Sequence, residues 1–390
     1  MNNIEKILKF KTIITPFSTI PNGVIGVHEG KISFIGKEEK LGEYHGETVD
    51  FSDKIAAPGY IDIHIHGANK ADTMDANLKS LDTISSFIAT KGVTGFYPTT
   101  MTAPLEDIYK AIDAVKKAAD GKVHGARILG IHLEGPYFSK EKAGAQEADY
   151  LRIPKIDELR DLLNFGEGII KRVSIAPEIP GGLEAIKFLR ENNVVVALGH
   201  TNATFDIAME GINLGATIGN HTYNGMRNFH HREPGVLGAV LTSNNVFAEM
   251  IVDGIHLHSA AVDLVVRCKG FDHTILITDS IMATGLADGE YILGKAKIIV
   301  KNGISRRESG VLAGSTLTLD KAVRNIIKFL DIPVNRAIQM ASYNPARALH
   351  IEDKKGSLEI GKDADIVVLN EDLTVYATII GGDIVYTAES

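Results

Sequence analysis

Two histidines stand two residues apart in the run Pro58-Gly59-Tyr60-Ile61-Asp62-Ile63-His64-Ile65-His66-Gly67. In an extended strand successive side chains point to opposite faces, so Asp62, His64 and His66 share one face and Ile61, Ile63 and Ile65 share the other. Both imidazoles then aim at one point, and neutral imidazole is a common ligand of zinc, iron and related divalent ions. A buried, hydrogen-bonded histidine pair satisfies the same pattern, so the rest of the chain must decide. Further along, Glu134, His200, His221 and Asp279 each close an apolar, strand-like run. Taken singly, His200 in Val196-Ala197-Leu198-Gly199-His200-Thr201 reads as a capped loop histidine, and His221 in Gly219-Asn220-His221-Thr222 reads likewise. Their recurrence at successive strand ends is what points to a metal site. The set contains nitrogen and oxygen donors and no cysteine, which suits a catalytic site with open positions more than a closed structural one.

The elements that must position these residues follow from periodicity. Strand-like runs at Tyr60–His66, Gly95–Thr99, Arg127–Glu134, Arg172–Ala176, Val194–Gly199, Ala216–Asn220, Ala248–Asp253 and Thr274–Asp279 alternate with segments of helical spacing, such as Asn77–Lys91, Leu105–Ala119, Leu183–Asn192 and Ala260–Cys268. Repeats of this kind over about 300 residues predict an α/β fold, a (β/α)8 TIM-like barrel across residues 57–356, whose active site lies at the C-terminal ends of its strands. A doubly wound open sheet is the weaker alternative, because no G-x-G-x-x-G follows a strand. Short alternating segments broken by glycine fill the stretch from Ile13 to Val49 and recur from Gly361 to Tyr386. They predict antiparallel strands, and both chain ends together a small β-sandwich domain of residues 1–56 and 357–390.

Composition narrows the function classes. Of 390 residues 44% are apolar and 23% charged, the balance of an ordinary globular protein. The net charge of −8, with no clustered Lys/Arg run, argues against nucleic acid as a partner. The one cysteine, Cys268, excludes an intramolecular disulfide, and its setting Val265-Val266-Arg267-Cys268-Lys269 reads as a helical core position. The N-terminus lacks the pattern of a secretory signal, and no run of about 18 apolar residues is present, so no membrane role and a cytoplasmic location are expected.

The segments His64-Ile65-His66, His132-Leu133-Glu134-Gly135-Pro136, Gly199-His200-Thr201-Asn202-Ala203, His221-Thr222-Tyr223-Asn224-Gly225-Met226 and Thr278-Asp279-Ser280 occur in that order. With the later Asn344-Pro345-Ala346-Arg347 and Gly361-Lys362-Asp363-Ala364-Asp365, they resemble the N-acetylglucosamine-6-phosphate deacetylase family of the amidohydrolase superfamily across almost the whole chain. The Leu-Glu-Gly-Pro and His-Thr-Tyr-Asn-Gly-Met pieces are the specific ones. The first-strand histidines and the late Asp indicate only the superfamily.

The resemblance implies a divalent metal held by Glu134, His200 and His221, with a second on His64 and His66, hence one or two per subunit, of zinc, iron, manganese or a similar ion. A bound metal lowers the pKa of its water toward ~7, and Asp279 is implied as the general base and then acid of amide hydrolysis. On the substrate side it implies Ala145 and Gln146, with Gln146 where many members have a histidine. It implies Asn224, Gly225, Arg232 and His256 around a sugar phosphate, and Leu312, Ala313 and Gly314 in a loop over the sugar. The partner implied is a small phosphorylated amino sugar, in a homodimer with a shared active site. Deacetylation of N-acetylgalactosamine 6-phosphate, or of another small N-acyl substrate, is the alternative. The fourth strand ends Ser174-Ile175-Ala176-Pro177-Glu178 without a lysine, which argues against the amidohydrolases that bridge two metals with a carboxylated lysine.

Overall fold

The computed structural model describes residues 4–42, 44–294 and 296–389. The predicted strand–helix alternation forms a closed barrel. Tyr60–Ile65, Val93–Pro98 and Arg127–Ile128 make one parallel ladder; Ile131–Glu134, Ile170–Ile175, Val195–Leu198, Ala216–Gly219, Phe247–Ile251 and Thr274–Ile277 make another. Arg127–Ile128 and Ile131–Glu134 are two halves of the third barrel strand, interrupted at Leu129 and Gly130. Bridges Thr99–His132 and Ile65–Ser280 join the two ladders on both sides. The strands are buried on both faces, as expected of a parallel sheet covered by helices, and so read as continuous apolar runs. The helices present apolar stripes to them: Leu81, Ile84 and Ile88 are buried on Leu78–Ala89, which Asn77 caps by accepting from the Ser80 amide at 2.9 Å.

Both chain ends build one seven-stranded sheet in the order Asp383–Thr387, Val375–Ile380, Ile366–Leu369, Glu47–Pro58, Lys6–Ile14, Thr19–His28, Lys31–Lys37. Residues of both halves, among them Leu8, Phe10, Ile25, Ile366 and Val368, meet in one core. One pairing differs from the antiparallel expectation: Lys6–Ile14 and Glu47–Pro58 run parallel. The hairpin of Thr19–His28 and Lys31–Lys37 lies between them in sequence and on the other side of Lys6–Ile14 in the sheet, so the two parallel strands are joined by a crossover rather than a tight turn.

Two features depart from the sequence reading. Cys268 lies on the expected helix, Ser259–Lys269, but is exposed. The buried stripe of that helix is Val262, Val265, Val266 and Lys269, and Lys269 turns its ammonium to the carbonyls of Val240 and Ser243. Beyond the eighth barrel strand, Gly289–Leu293, Ala296–Lys301 and Ile304–Arg307 form an unanticipated three-stranded lobe with its own small core of Ile281, Leu293, Ile298, Val300 and Ala313.

Candidate active site

The five predicted metal ligands and the predicted general base, Asp279, converge at the C-terminal end of the barrel. His64 sits on the first strand and His66 just past it; Glu134 ends the third; His200, His221 and Asp279 follow the fifth, sixth and eighth. Glu134 is the hub. Its Oε1 lies 3.2 Å from His64 Nε2, 3.4 Å from His200 Nε2 and 3.1 Å from His221 Nε2, while Oε2 lies 3.2 Å from His66 Nε2. Asp279 Oδ1 is 3.2 Å from His66 Nε2. Two groups can each hold a metal ion, His64 with His66 and Asp279, and Glu134 with His200 and His221, their ligand atoms lying within 4.8 Å of one another.

The backbone around these residues is specialised. His200, His221 and Asp279 have φ of 46°, 25° and 49°, the left-handed region that non-glycine residues rarely occupy and that concentrates at functional sites. Gly225, at φ 61°, passes so close to His200 that a Cβ there would lie 3.0 Å from Nδ1. Glu178 steadies the His200 loop by accepting from Thr201 Oγ1 and from the Asn202 amide, each at 2.5 Å.

The outer nitrogens fix how the rings face inward. Each Nδ1 of His66, His200 and His221 meets a backbone carbonyl, of Thr99 at 3.2 Å, Lys142 at 2.9 Å and Asn224 at 2.9 Å. A carbonyl only accepts, so Nδ1 carries the proton and Nε2 presents a lone pair to the centre. Two such bare nitrogens, of His200 and His221, stand 3.2 Å apart, and His64 Nε2 is fully buried with no hydrogen-bond partner. Lone pairs pointed at one another and at a carboxylate fit a cation.

Where no cation is bound, protons on the inward nitrogens take its place in neutralising the carboxylates. Burial would raise the Glu134 carboxyl, but the His64 charge and hydrogen bonds from His200 and His221 hold it well below the usual carboxylate range. Burial likewise opposes ionisation of Asp279, and His66 and His64 bring its carboxyl down. Burial disfavours the His64 cation, yet Glu134, Glu249 and Asp279 raise it to about 9.

Beneath the donors lies a buried polar network. Arg172, on the fourth strand and completely buried, reaches Glu249 Oε1 at 2.5 Å, Asn220 Oδ1 at 2.6 Å and the Ile63 carbonyl at 2.9 Å. Glu249 faces His64 Nδ1 at 3.5 Å, and Asn220 Nδ2 donates to Glu134 Oε1 at 2.9 Å. Ser174 links Asn220 to His132, whose imidazole burial, Arg172 and His64 keep well below its usual pKa.

A family model described as "Amidohydrolase family" matches residues 55–385. The chain belongs to the amidohydrolase family. It is 42% identical to the N-acetylglucosamine-6-phosphate deacetylase of Vibrio furnissii, over 94% of this chain and 92% of that one. It is 40% identical to the N-acetylgalactosamine-6-phosphate deacetylase of Escherichia coli O157:H7, over 85% and 88%. Its fold is similar, at a TM-score of 0.91 and 31% identity over 99% of this chain and 100% of the other, to a mutant N-acetyl-D-glucosamine-6-phosphate deacetylase from Mycobacterium smegmatis in complex with N-acetyl-D-glucosamine-6-phosphate.

In this amidohydrolase a cavity of about 400 Å³ opens above the donors. Ala145, Gln146, Asn224, Gly225, His256, Leu312 and Gly314 line it together with Glu134, His200, His221 and Asp279. His256 is held by Asp253, Nδ1 to Oδ2 at 2.7 Å, which leaves Nε2 free. Of the residues expected on the substrate side, two stand outside the wall. Ala313 is buried in the core of the three-stranded lobe, and Arg232 is exposed, its Nη1 2.8 Å from His231 Nε2. Gln146 does more than line the cavity: it donates to Glu134 Oε2 at 2.8 Å and accepts from the Thr102 amide at 2.8 Å, so it fixes the hub carboxylate. Asp62 shares its strand face with His64 and His66 but lies below them, accepting from Thr278 Oγ1 at 2.6 Å, with burial raising its carboxyl to about 6. Sequence reading assigned nothing to Arg172, Glu249 or Asn220. For Glu249 the available signal was a single charge inside the otherwise apolar strand Phe247–Ile251, whereas Ile170–Ile175 carries both Lys171 and Arg172 and so does not single out the buried one.

Proposed function

We propose that this amidohydrolase hydrolyses the N-acetyl amide of N-acetylglucosamine 6-phosphate, giving glucosamine 6-phosphate and acetate. The observation that carries the reading is the meeting of two nitrogen–oxygen triads on Glu134 at the buried end of a cavity, in a chain related over nearly its full length to enzymes of that name. The glucosamine reading is favoured over the galactosamine one by the greater identity and coverage of the glucosamine relative.

Both triads are complete, which supports two divalent ions per subunit, of zinc, iron or manganese. Glu134, His200 and His221 would hold one, and His64, His66 and Asp279 the other. A bound divalent ion supplies Lewis acidity, polarising the amide carbonyl and making water more acidic. Asp279 is held ionised in the cavity wall. It takes the proton released as water adds to the carbonyl carbon, and returns it to the amine nitrogen as the C–N bond breaks. Gln146 and Asn220 keep Glu134 in place from opposite sides.

His256, backed by Asp253, and the backbone at Asn224 and Gly225 serve the sugar phosphate, while Ala145, Leu312 and Gly314 contact the sugar. Arg232, exposed and outside its own cavity, serves the phosphate in a neighbouring subunit of a cytoplasmic homodimer. Residues 57–356 carry the chemistry and residues 1–56 with 357–390 form the supporting domain. No described helix is long and apolar enough to cross a membrane.

The experiment is acetate release from N-acetylglucosamine 6-phosphate beside the unphosphorylated sugar and the galactosamine epimer. Fastest turnover of the phosphorylated glucosamine compound is expected. Equal rates on phosphorylated and plain sugar, or a preference for the galactosamine epimer, overturn the assignment.

A further inference from the structure

We infer that Arg306 is a specificity-determining residue that binds the substrate's phosphate at the open end of its own subunit's cavity. The inference rests on the deacetylase reading and adds to it a cation that the motifs do not bring to the site.

The cavity is polarised. Its buried end holds Glu134, His66, His200, His221 and Asp279, while its exposed rim carries Arg306, Gly310 and Val311. Among the described residues Arg306 is the one lysine or arginine in the wall. A phosphate dianion entering this cavity with its acetamide directed at the buried donors therefore leaves its charged end toward the rim, where a permanent cation stands.

The lobe places that cation. Ile304–Arg307 is the last strand of the three-stranded sheet, paired with Ala296–Lys301, and the chain returns through a tight hairpin in which Arg306 bridges to Leu312. Arg306 Nη1 donates to the Gly310 carbonyl at 2.8 Å, which fixes the guanidinium at the hairpin mouth. A guanidinium has five N–H donors in a planar fork, so most remain for phosphate oxygens. The carboxylate nearest in sequence, Glu308, faces Lys297 on the neighbouring strand at 3.8 Å, and among the described residues no carboxylate pairs with Arg306. On the alternate face of the same strand, Arg307 pairs with Glu147, the residue after Gln146. That pair ties the lobe to the loop that braces Glu134.

The test is steady-state kinetics of the metal-loaded enzyme with Arg306→Ala and Arg306→Lys, on N-acetylglucosamine 6-phosphate and on N-acetylglucosamine. Arg306 is exposed, so the variants are expected to fold, and thermal melting checks this. Arg306→Ala is expected to raise KM for the phosphorylated sugar roughly tenfold to a hundredfold, the loss of a hydrogen bond to a charged group, with kcat little changed. Its kcat/KM on the plain sugar should stay the same, and inhibition by inorganic phosphate should weaken by the same factor as KM. Arg306→Lys should recover part of the loss, since it keeps the charge without the fork. Equal losses on both sugars, or no loss on either, overturn the role of Arg306 while leaving the deacetylase reading in place. A wild-type enzyme indifferent to the phosphate overturns both.

Discussion

Replacing Arg172 with methionine tests the buried network on which the metal donors rest. Arg172 and Glu249 are completely buried and 2.5 Å apart. Removing the arginine leaves a buried carboxylate with no opposing guanidinium, which costs about 3–5 kcal/mol. The abandoned acceptors, the Ile63 carbonyl and Asn220 Oδ1, add about 1 kcal/mol each at the low end, for a total of about 5–7 kcal/mol. That is comparable with the whole stability of many domains. The double variant Arg172→Met/Glu249→Gln should recover at least about 2 kcal/mol, because a neutral amide can still accept from His64 Nδ1 without being a buried charge.

The pH dependence has a definite sign. In the wild type burial opposes ionisation of Glu249, but Arg172 and then His64 hold its carboxyl below the usual range, so it contributes stability above its unfolded pKa of about 4.3 and loses it as pH falls. Without Arg172 the folded carboxyl shifts upward instead, and the deficit is small below about pH 4.3 and widens as pH rises. Guanidinium denaturation of the three proteins at pH 5 and pH 8, at fixed metal concentration, measures all of this. A cost below about 2 kcal/mol for the single variant, or a double variant no more stable than the single, would refute the reasoning.

Asp279→Asn should lower kcat about 10²- to 10⁴-fold, the range for a positioned proton-transfer group, and metal analysis beside the kinetics separates this from loss of an ion near His66. Gln146→Ala frees one oxygen of Glu134, and a drop in metal affinity of about 10- to 100-fold by competition with a chromogenic chelator is the expected result. Metal removal should expose the coupled imidazoles. With the His64 pKa near 9 in the folded protein and about 6.5 unfolded, the metal-free enzyme gains stability from it below about pH 6.5 and loses it as pH rises through about 9. Melting curves of the metal-free enzyme from pH 6 to 10 should fall accordingly, and binding of zinc at pH 8 should release protons to an indicator dye.

The candidate metal donors were legible because barrel strands announce themselves locally. An apolar run that ends in histidine or a carboxylate, repeated along the chain, places each donor at the same end of the same barrel, whatever its partner. The helix of Cys268 was legible for the same reason; its rotation was not, since Lys269 buries its stem and caps two carbonyls where an apolar residue was expected. Gln146 could be placed at the substrate side by position, yet its bond to Glu134 depends on a loop folding back over the third strand. The three-stranded lobe left a faint mark, the apolar run Ile298-Ile299-Val300 between Gly294 and Gly303, too short to stand out beside the barrel periodicity.

By itself, then, the sequence determined the barrel, the sheet built from both ends and the placement of five candidate ligands and Asp279 at one end of the barrel, because these depend on periodicity and on chemistry carried within a few residues. Tertiary structure alone decided that Glu134 stands among all four ligand histidines, that Arg172 and Glu249 meet beneath them, and that Arg306 overhangs the cavity. Those are contacts between residues tens to nearly two hundred positions apart, and local patterning specifies which face a residue takes without specifying what waits on the other side of the barrel.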